Sequence, residues 1–145
     1  MGTIQAKKDL KLMIVLFKSY QTLANYIKED IKNTDFNLNE FSVLEVVYHH
    51  KEITVNDIHS KVLVANSSLS YILDKLVKKE LIERRQCTDD KRVTYISLTD
   101  KGQKVSETIF PPHYYRLKTI FANLTDAEKE QTIQTLKKLS ISVGN

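Results

Sequence analysis

Residues 89–102 read DDKRVTYISLTDKG and carry more structural information than any other part of the 145-residue chain. Asp89 and Asp90 are turn formers, and residues 92–98 alternate with period two and are rich in β-branched and aromatic side chains. A second alternating stretch lies just upstream, at residues 83–86. Together these stretches predict a β-hairpin with basic residues at its tip. Thr99 precedes a helical pattern, so we expect a helix capped by its side chain to follow directly.

The residues before the hairpin predict a short amphipathic helix. Its apolar stripe follows i, i+3, i+4, i+7, i+8 spacing and comprises Leu69, Ile72, Leu73, Leu76 and Val77. The opposite side carries small hydroxyls, an amide, a tyrosine and lysines, namely Asn66, Ser67, Ser68, Ser70, Tyr71, Lys75 and Lys78. A shorter helix is predicted to precede it, with Thr54 as N-cap and Asp57 three residues later. Ile53 is expected to add a strand to the hairpin.

This arrangement suits docking into double-stranded DNA. Two helices joined by a tight turn, the second with short polar side chains at its start, can approach a major groove closely. Basic side chains such as Lys75 would hold the phosphate backbone, and Arg92 at the hairpin tip suits a minor groove. Asp90 can brace the Arg92 guanidinium from the neighbouring strand position. The alternative is that serines simply favour helix starts and that the charges form a solvated surface.

Two apolar patterns lie near the ends of the chain. Between residues 10 and 31 the spacing alternates between three and four, through Leu10, Met13, Phe17, Tyr20, Ala24, Ile27 and Ile31. Near the C-terminus another apolar face comprises Ile133, Leu136, Leu139 and Val143. Such faces require a partner helix, either in the same protomer or in a second copy. The patterns alone favour neither.

The helix after the first one has a clearly predicted start. Asn37 can cap it, Glu40 stands at the third position as capping-box partner, and Phe36 can pack on Phe41 as a hydrophobic staple.

Composition limits the classes of protein that fit. The length favours one domain, and three glycines and two prolines favour a mainly helical chain. Ten Lys/Arg against seven Asp/Glu in residues 54–104 account for +3 of the net charge of +4, which favours a polyanionic partner. The single cysteine and the lack of a signal or membrane segment predict a cytoplasmic protein. Because phosphate loops and catalytic motifs are missing from the sequence, we expect a binding protein with no enzyme activity and no cofactor.

The chain resembles the MarR family of transcriptional regulators over nearly its whole length. Asp90-Lys91-Arg92, Ile96-Ser97-Leu98-Thr99 and Gly102 resemble the wing signature D-x-R-x-x-x-I-x-L-T-x-x-G of that family. Residues 67–76, SSLSYILDKL, resemble its recognition helix, and residues 37–44, NLNEFSVL, resemble the SarA-like accessory-regulator branch.

The resemblance implies a mainly α fold with a small β wing, a winged helix-turn-helix with N- and C-terminal dimerisation helices. Residues 34–99 would form the winged lobe of a single domain spanning 1–145, and residues 5–33 and 100–145 would dimerise it. The implied function is that of a homodimeric, bacterial repressor of transcription on a pseudo-palindromic operator. The residues expected to bind DNA are Asn66, Ser67, Ser68, Ser70, Tyr71, Lys75, Lys78, Arg84, Lys91 and Arg92. An alternative is a winged-helix module that binds protein or RNA without specific DNA readout.

One position departs from the family pattern. Relatives usually place Gly at the end of the recognition helix, where this chain has Glu80. A left-handed residue there costs about 1 kcal/mol more with a side chain than with Gly. We therefore expect the helix to end differently and the wing to be aimed differently.

The sequence contains three groups of residues that a sensing site could use. Cys87 is a candidate redox-sensing thiol near Arg84, Arg85 and Lys91, and the alternative is a passive cysteine. The resemblance also implies a small amphipathic or phenolic effector, with candidate lining residues that are alternatively ordinary core: Tyr20, Tyr48, His113, Tyr114 and Tyr115. Adjacent histidines on a helix point about 100° apart, so we expect no metal site from His49, His50, His59 and His113.

Overall fold

The computed structural model describes the backbone of residues 2–62 and 66–143, and the side chains of residues 3–62 and 68–139. It contains six helices and three strands within these ranges, in the following order: α1 (Gly2–Ile31), α2 (Leu38–Tyr48), β1 (Ile53–Thr54), α3 (Val55–Lys61), α4 (Asn66–Lys78), β2 (Ile82–Gln86), β3 (Thr94–Leu98), α5 (Asp100–Ile120) and α6 (Asp126–Val143). The predicted fold class, mainly α with a small β wing, is confirmed.

The chain divides into two compact units, Met1–Phe110 and Pro111–Asn145, and the division falls within α5. The core of the first unit forms between α2, α4 and the sheet. Its largest fully buried side chains are Phe110, Leu44, Ile58, Leu69, Leu73, Leu76, Ile82, Ile96, Val43 and Val47. The rings of Phe41 and Tyr48 lie 5.0 and 5.2 Å from that of Phe110. Burial of this apolar surface is the main contribution to the stability of the unit.

The three strands form an antiparallel sheet in the order β1-β3-β2. Ile96 of the central strand pairs with Ile53 on one side and Arg84 on the other. The expectation that Ile53 adds a strand to the hairpin is confirmed. The second hairpin strand was predicted to begin at residue 92, and this was wrong: β3 begins at Thr94, and the turn includes Arg92. The backbone N–H of Val93 donates to Asp90 O at 3.0 Å, which closes the turn before pairing begins.

The predicted N-caps are confirmed. Asn37 accepts from Glu40 N at 2.8 Å, Thr54 from Asp57 N at 3.1 Å and Thr99 from Gly102 N at 2.9 Å. Each bond satisfies a backbone donor that the first turn of a helix leaves unpaired.

The end of α4 corrects the expectation for Glu80. This residue has φ 61°, the left-handed conformation that Gly would adopt there. Glu80 N donates to Val77 O at 2.9 Å and Leu81 N to Leu76 O at 3.0 Å, which is a Schellman motif. Leu76 and Leu81 are both buried beside it. The prediction that the helix ends differently was wrong, because these contacts hold Glu80 in the strained conformation despite its Cβ.

Replacement of Glu80 by Gly is predicted to stabilise the protein. Gly at φ 61° relieves the clash of Cβ with the backbone, so we expect Glu80→Gly to raise the free energy of unfolding by about 1 kcal/mol. The measurement is urea denaturation at a fixed protein concentration. Glu107→Gly, at an exposed position inside α5, is the control and should lower stability by about 1 kcal/mol. Equal losses in the two variants would contradict the strain at Glu80.

Apolar side chains along α1 and α6 are exposed. On α1, the exposed fraction is 53% for Leu10, 47% for Met13 and 67% for Phe17, whereas Ile31 at the end of the same pattern is buried. On α6, Ile133, Leu136 and Leu139 are exposed. The side chain of Val143, predicted for the same face, lies outside the described residues. Among the helices that the structure describes, none is both long and apolar enough to cross a bilayer.

Candidate nucleic-acid interface

The two sides of α4 differ sharply in exposure. Leu69, Ile72, Leu73 and Leu76 are buried, as predicted, and Val77 is only half-buried. The other side exposes Ser68, Ser70, Tyr71 and Lys78, with Lys75 half-buried. Asn66 and Ser67 form the first turn of α4, but their side chains lie outside the described residues. The helix therefore presents small polar groups along one accessible side.

Lys75 is held near that side by two neighbours. Its Nζ lies 4.9 Å from the centroid of the Tyr71 ring and 3.7 Å from Glu40 Oε1. A hydrogen bond with Tyr71, and then the charge of Glu40, raise the pKa of Lys75 above its ordinary value. Lys75 is charged at neutral pH, as an ordinary lysine is, and its two contacts hold the ammonium group beside the exposed side of α4.

The hairpin tip presents one arginine in a fixed orientation. Asp90 Oδ1 accepts from Arg92 N at 3.0 Å and from Arg92 Nε at 3.1 Å, and Oδ2 accepts from Nη2 at 3.1 Å. The Arg92 side chain is 90% exposed. The brace predicted for Asp90 thus exists, although it acts within the turn and not from a strand position, because β3 starts only at Thr94. The neighbouring Lys91 is also exposed.

A cleft of about 280 Å³ lies between α4 and the hairpin. Ser70 of α4 and Arg92 of the tip lie on the same cleft, whose full lining is Thr54, Val55, Asn56, Ser70, Leu73, Arg84, Arg92, Val93 and Thr94. Its lining includes the first residues of α3. A rod-like polyanion seated on α4 would therefore also meet Arg92.

Arg84 was expected to contact DNA, and the structure gives it a protein partner. Its Nη2 lies 2.7 Å from Asp74 Oδ1 on α4. Arg84 pairs with Ile96, so its side chain leaves the sheet on the α4 side. The ion pair links β2 to α4. A phosphate contact by Arg84 stays a prediction.

Arg85 was named from the sequence only as a charge near Cys87, and the structure gives it partners that the sequence did not indicate. Its Nε and Nη2 donate to the Glu52 carboxylate at 3.0 and 2.7 Å, and its guanidinium lies 4.6 Å from the centroid of the Tyr95 ring. The Arg85 hydrogen bonds lower the pKa of Glu52. The sheet register places Arg85, Tyr95 and Thr54 in one row, and sequence alone does not reveal that register.

The other candidate sites receive less support from geometry. Cys87 is a half-buried free thiol whose backbone N–H donates to Val93 O at 2.9 Å. Within the described residues, no three His, Cys, Asp or Glu side chains could hold a metal ion together. Tyr48 packs on Phe110, whereas Tyr20 lines a groove of about 530 Å³ along α1 with Phe17 and neighbouring residues. In the second unit, the rings of His113 and Tyr114 lie 5.9 Å apart and Tyr115 is exposed. The effector pocket stays a prediction.

Comparison with known proteins assigns the family. The profile of the MarR family matches residues 36–94. The HTH-type transcriptional regulator MhqR of Bacillus subtilis (strain 168) is 34% identical over 94% of this chain and 94% of its own length. The crystal structure of S. aureus MepR in its DNA-binding conformation superposes with a TM-score of 0.82 at 23% identity, covering 91% of this chain and 98% of that one. Overoxidized AbfR bound to DNA is 25% identical, with a TM-score of 0.73, covering 96% and 99%.

The chain belongs to the MarR family of transcriptional regulators. The resemblance read from the wing signature is confirmed. Membership of the SarA-like branch stays a prediction.

The ion pair between Asp90 and Arg92 leads to a prediction for the pKa of the Asp90 carboxyl. The hydrogen bonds from Arg92 lower the pKa of Asp90. A lowered pKa in the folded state contributes stability above the unfolded pKa of about 3.9, and this contribution is lost as the pH falls through the folded value. Carbon-13 NMR titration should give the Asp90 carboxyl a pKa below about 3.9. Arg92→Gln should raise that pKa towards about 3.9 but not fully to it, because the backbone N–H of residue 92 still donates to Asp90 Oδ1. Lys91→Gln is the control. A carboxyl that titrates identically in wild type and Arg92→Gln would contradict the brace.

Proposed function

We propose that this protein is a homodimeric repressor that binds a pseudo-palindromic double-stranded operator, with α4 in a major groove and the hairpin tip in the flanking minor groove. The observation that carries the proposal is the common cleft on which Ser70 of α4 and Arg92 of the tip both lie. A DNA duplex presents major and minor grooves side by side, so a helix and a wing on one surface can read both.

The side chains of α4 match the requirements of a major groove. Ser68 and Ser70 are short and exposed, so the helix backbone can approach base edges closely. Tyr71, Lys75 and Lys78 would contact the sugar-phosphate backbone and fix the register, as would the first-turn residues Asn66 and Ser67. AbfR has the same fold and is 25% identical to this chain, and its structure was solved with DNA bound.

The hairpin tip matches a minor groove. Arg92 is almost fully exposed, and Asp90 holds its guanidinium before DNA arrives, which lowers the entropy lost on binding. A narrow A·T-rich groove concentrates negative potential and favours an inserted arginine. Lys91 and Arg84 would add phosphate contacts on either side.

A second copy of the chain is proposed to cover the exposed apolar faces. Leu10, Met13 and Phe17 on α1, and separately Ile133, Leu136 and Leu139 on α6, leave apolar surface in water. Residues 5–33 and 100–145 are the proposed dimerisation segments, residues 34–99 the proposed lobe, and the whole chain one domain. The C₂ symmetry of such a dimer matches a pseudo-palindromic operator.

The regulatory input is proposed to be a small amphipathic or phenolic effector, or oxidation at Cys87. Support comes from the half-buried free thiol and from AbfR, which was solved in an overoxidized form. We propose a cytoplasmic regulator that has no catalytic activity and needs no cofactor.

Selection of bound duplexes from random DNA with the purified protein tests the function. We expect enrichment of pseudo-palindromes with half-sites about one helical turn, roughly 10 bp, apart. Affinity should fall steeply as salt rises, because phosphate neutralisation releases counterions. Scrambled duplexes of the same composition are the control. Equal affinity for selected and scrambled duplexes would favour the alternative, a module that binds RNA or protein.

Arg92→Ala is predicted to weaken operator binding about 5- to 150-fold, with the larger loss on A·T-rich flanks. The reason is loss of the charge inserted in the minor groove. Fluorescence anisotropy on operators with A·T-rich and mixed flanks measures the difference. Lys91→Ala, at the adjacent exposed position, should weaken both operators equally. The same loss on both flanks for Arg92→Ala would reduce Arg92 to a phosphate contact.

Combined alanine substitution at Leu10 and Phe17 is predicted to dissociate the dimer. Both side chains lie on the exposed α1 face, and their truncation removes apolar surface that a second copy would bury. Sedimentation velocity should show a shift to monomer, and operator affinity should fall with it. Tyr71→Ala, on the exposed side of α4, is the control and should leave the dimer intact. A variant that becomes monomeric yet binds the full operator with unchanged affinity would refute the proposal.

A further inference from the structure

Lys79 connects the end of α4 to the segment between α1 and α2. It immediately follows the last residue of α4, and its Nζ donates to Asp35 O at 2.7 Å and to Glu40 Oε2 at 3.0 Å. The same ammonium group lies 4.8 Å from the centroid of the Phe36 ring. A backbone carbonyl, a carboxylate and an aromatic face from residues 35–40 therefore hold one lysine.

Glu40 makes this attachment costly to break. Its side chain is only 3% exposed, and its carboxylate contacts Lys79, Lys75 and the Asn37 amide, the last at 3.3 Å. A buried carboxylate is tolerated only with such partners, because loss of one leaves a charge without compensation. The residue predicted as a capping-box partner thus also binds Lys75 of α4 and Lys79 directly after it.

The α1–α2 segment is itself ordered by local hydrogen bonds. Thr34 N and Thr34 Oγ1 both donate to Ile31 O, at 2.9 and 2.6 Å, and Phe36 N donates to Thr34 Oγ1 at 3.2 Å. Ile31, the last residue of α1, is 5% exposed. A continuous set of contacts therefore runs from the end of α1 through residues 34–36 to Lys79 and α4.

We propose that Lys79 is a positioning residue that sets the separation of the two half-sites that the dimer accepts, without touching DNA itself. The inference rests on the proposed function, in which α1 carries the dimer face and α4 enters the major groove. A change in the angle between α1 and α4 would move the two copies of α4 relative to each other. By holding that angle, Lys79 makes the dimer selective for one spacing.

The adjacent lysine provides a matched contrast. Lys78 is exposed on the side of α4 that faces away from the core, and it is expected to bind a phosphate. Lys79 is directed at Asp35 and Glu40. Removal of either charge lowers the net charge by one, so their effects differ only through what each lysine contacts.

The experiment compares the selected operator with versions that carry one base pair more or fewer between the half-sites. One base pair shifts a half-site by roughly 3.4 Å and rotates it by about 35°. The first readout is the spacing ratio, which is the Kd for an operator of altered spacing divided by the Kd for the selected operator. The second readout is the slope of log Kd against log salt. The variants are Lys79→Met, Lys79→Arg, Glu40→Gln and Lys78→Met. Circular dichroism melting checks that each variant is folded.

Lys79→Met and Glu40→Gln should each reduce the spacing ratio by about 2- to 30-fold, the range for residues that couple two sites. The salt slope of Lys79→Met should stay at the wild-type value, and Lys79→Arg should retain the wild-type ratio. Lys78→Met should weaken binding at all spacings equally and should reduce the slope by about two, because each dimer loses one phosphate contact in both protomers.

Three results overturn the inference. A folded Lys79→Met or Glu40→Gln dimer that keeps the wild-type spacing ratio shows that the contacts do not set the spacing. A salt slope reduced by about two in Lys79→Met, one phosphate contact for each protomer, shows that Lys79 touches DNA directly. If the wild-type protein prefers no duplex over scrambled DNA, the proposed function fails and this inference with it. The control duplexes distinguish that case from the first two.

Discussion

The junction where α4 ends and α5 begins constrains the rest of the first unit. Leu81 O accepts from Thr99 N at 3.1 Å, and Thr99 Oγ1 donates to Glu80 O at 2.6 Å. A Cβ on Gly102 would lie 1.9 Å from Leu81 O, so only glycine allows α5 to start this close to the end of α4. The wing consists of β2 and β3. Because β2 follows the end of α4 and β3 precedes the start of α5, both ends of the wing lie at this junction. Its direction relative to α4 therefore depends on a few backbone contacts that tolerate little change.

Ion pairs then set the direction of the wing from both faces of β2. Arg84 contacts Asp74 on α4, and Arg85, which points the opposite way, holds Glu52 before β1. Exposed ion pairs of this kind contribute little to stability. Their bidentate or short geometry instead restricts the orientation of the wing, which matters for a surface that is proposed to place Ser70 and Arg92 on DNA together. The apolar core supplies the stability of the unit, whereas the charged groups fix the orientation of the wing.

Local patterns in the sequence were sufficient for much of this structure. The caps at Asn37, Thr54 and Thr99 each need only residues within three positions, so spacing predicted them correctly. The apolar stripe of α4 and the hairpin follow from periodicity in the same way. The Glu80 expectation was wrong because a local propensity of about 1 kcal/mol is smaller than the combined contacts that tertiary structure supplies at that point. The second strand of the hairpin begins at Thr94, two residues later than the predicted residue 92. The reason is similar, since closure of the turn and not composition sets where the strand begins.

The sequence by itself determined the class of fold, the family, the polar side of α4 and the Asp90–Arg92 pair, because each rests on residues close together in the chain. Only the tertiary structure decided the partners of Glu40 and Arg85. Glu40 and Lys79 are 39 positions apart, and Glu52 and Arg85 are 33 apart. No periodicity relates such residues, because their contact depends on sheet register and helix packing, which the whole chain establishes together.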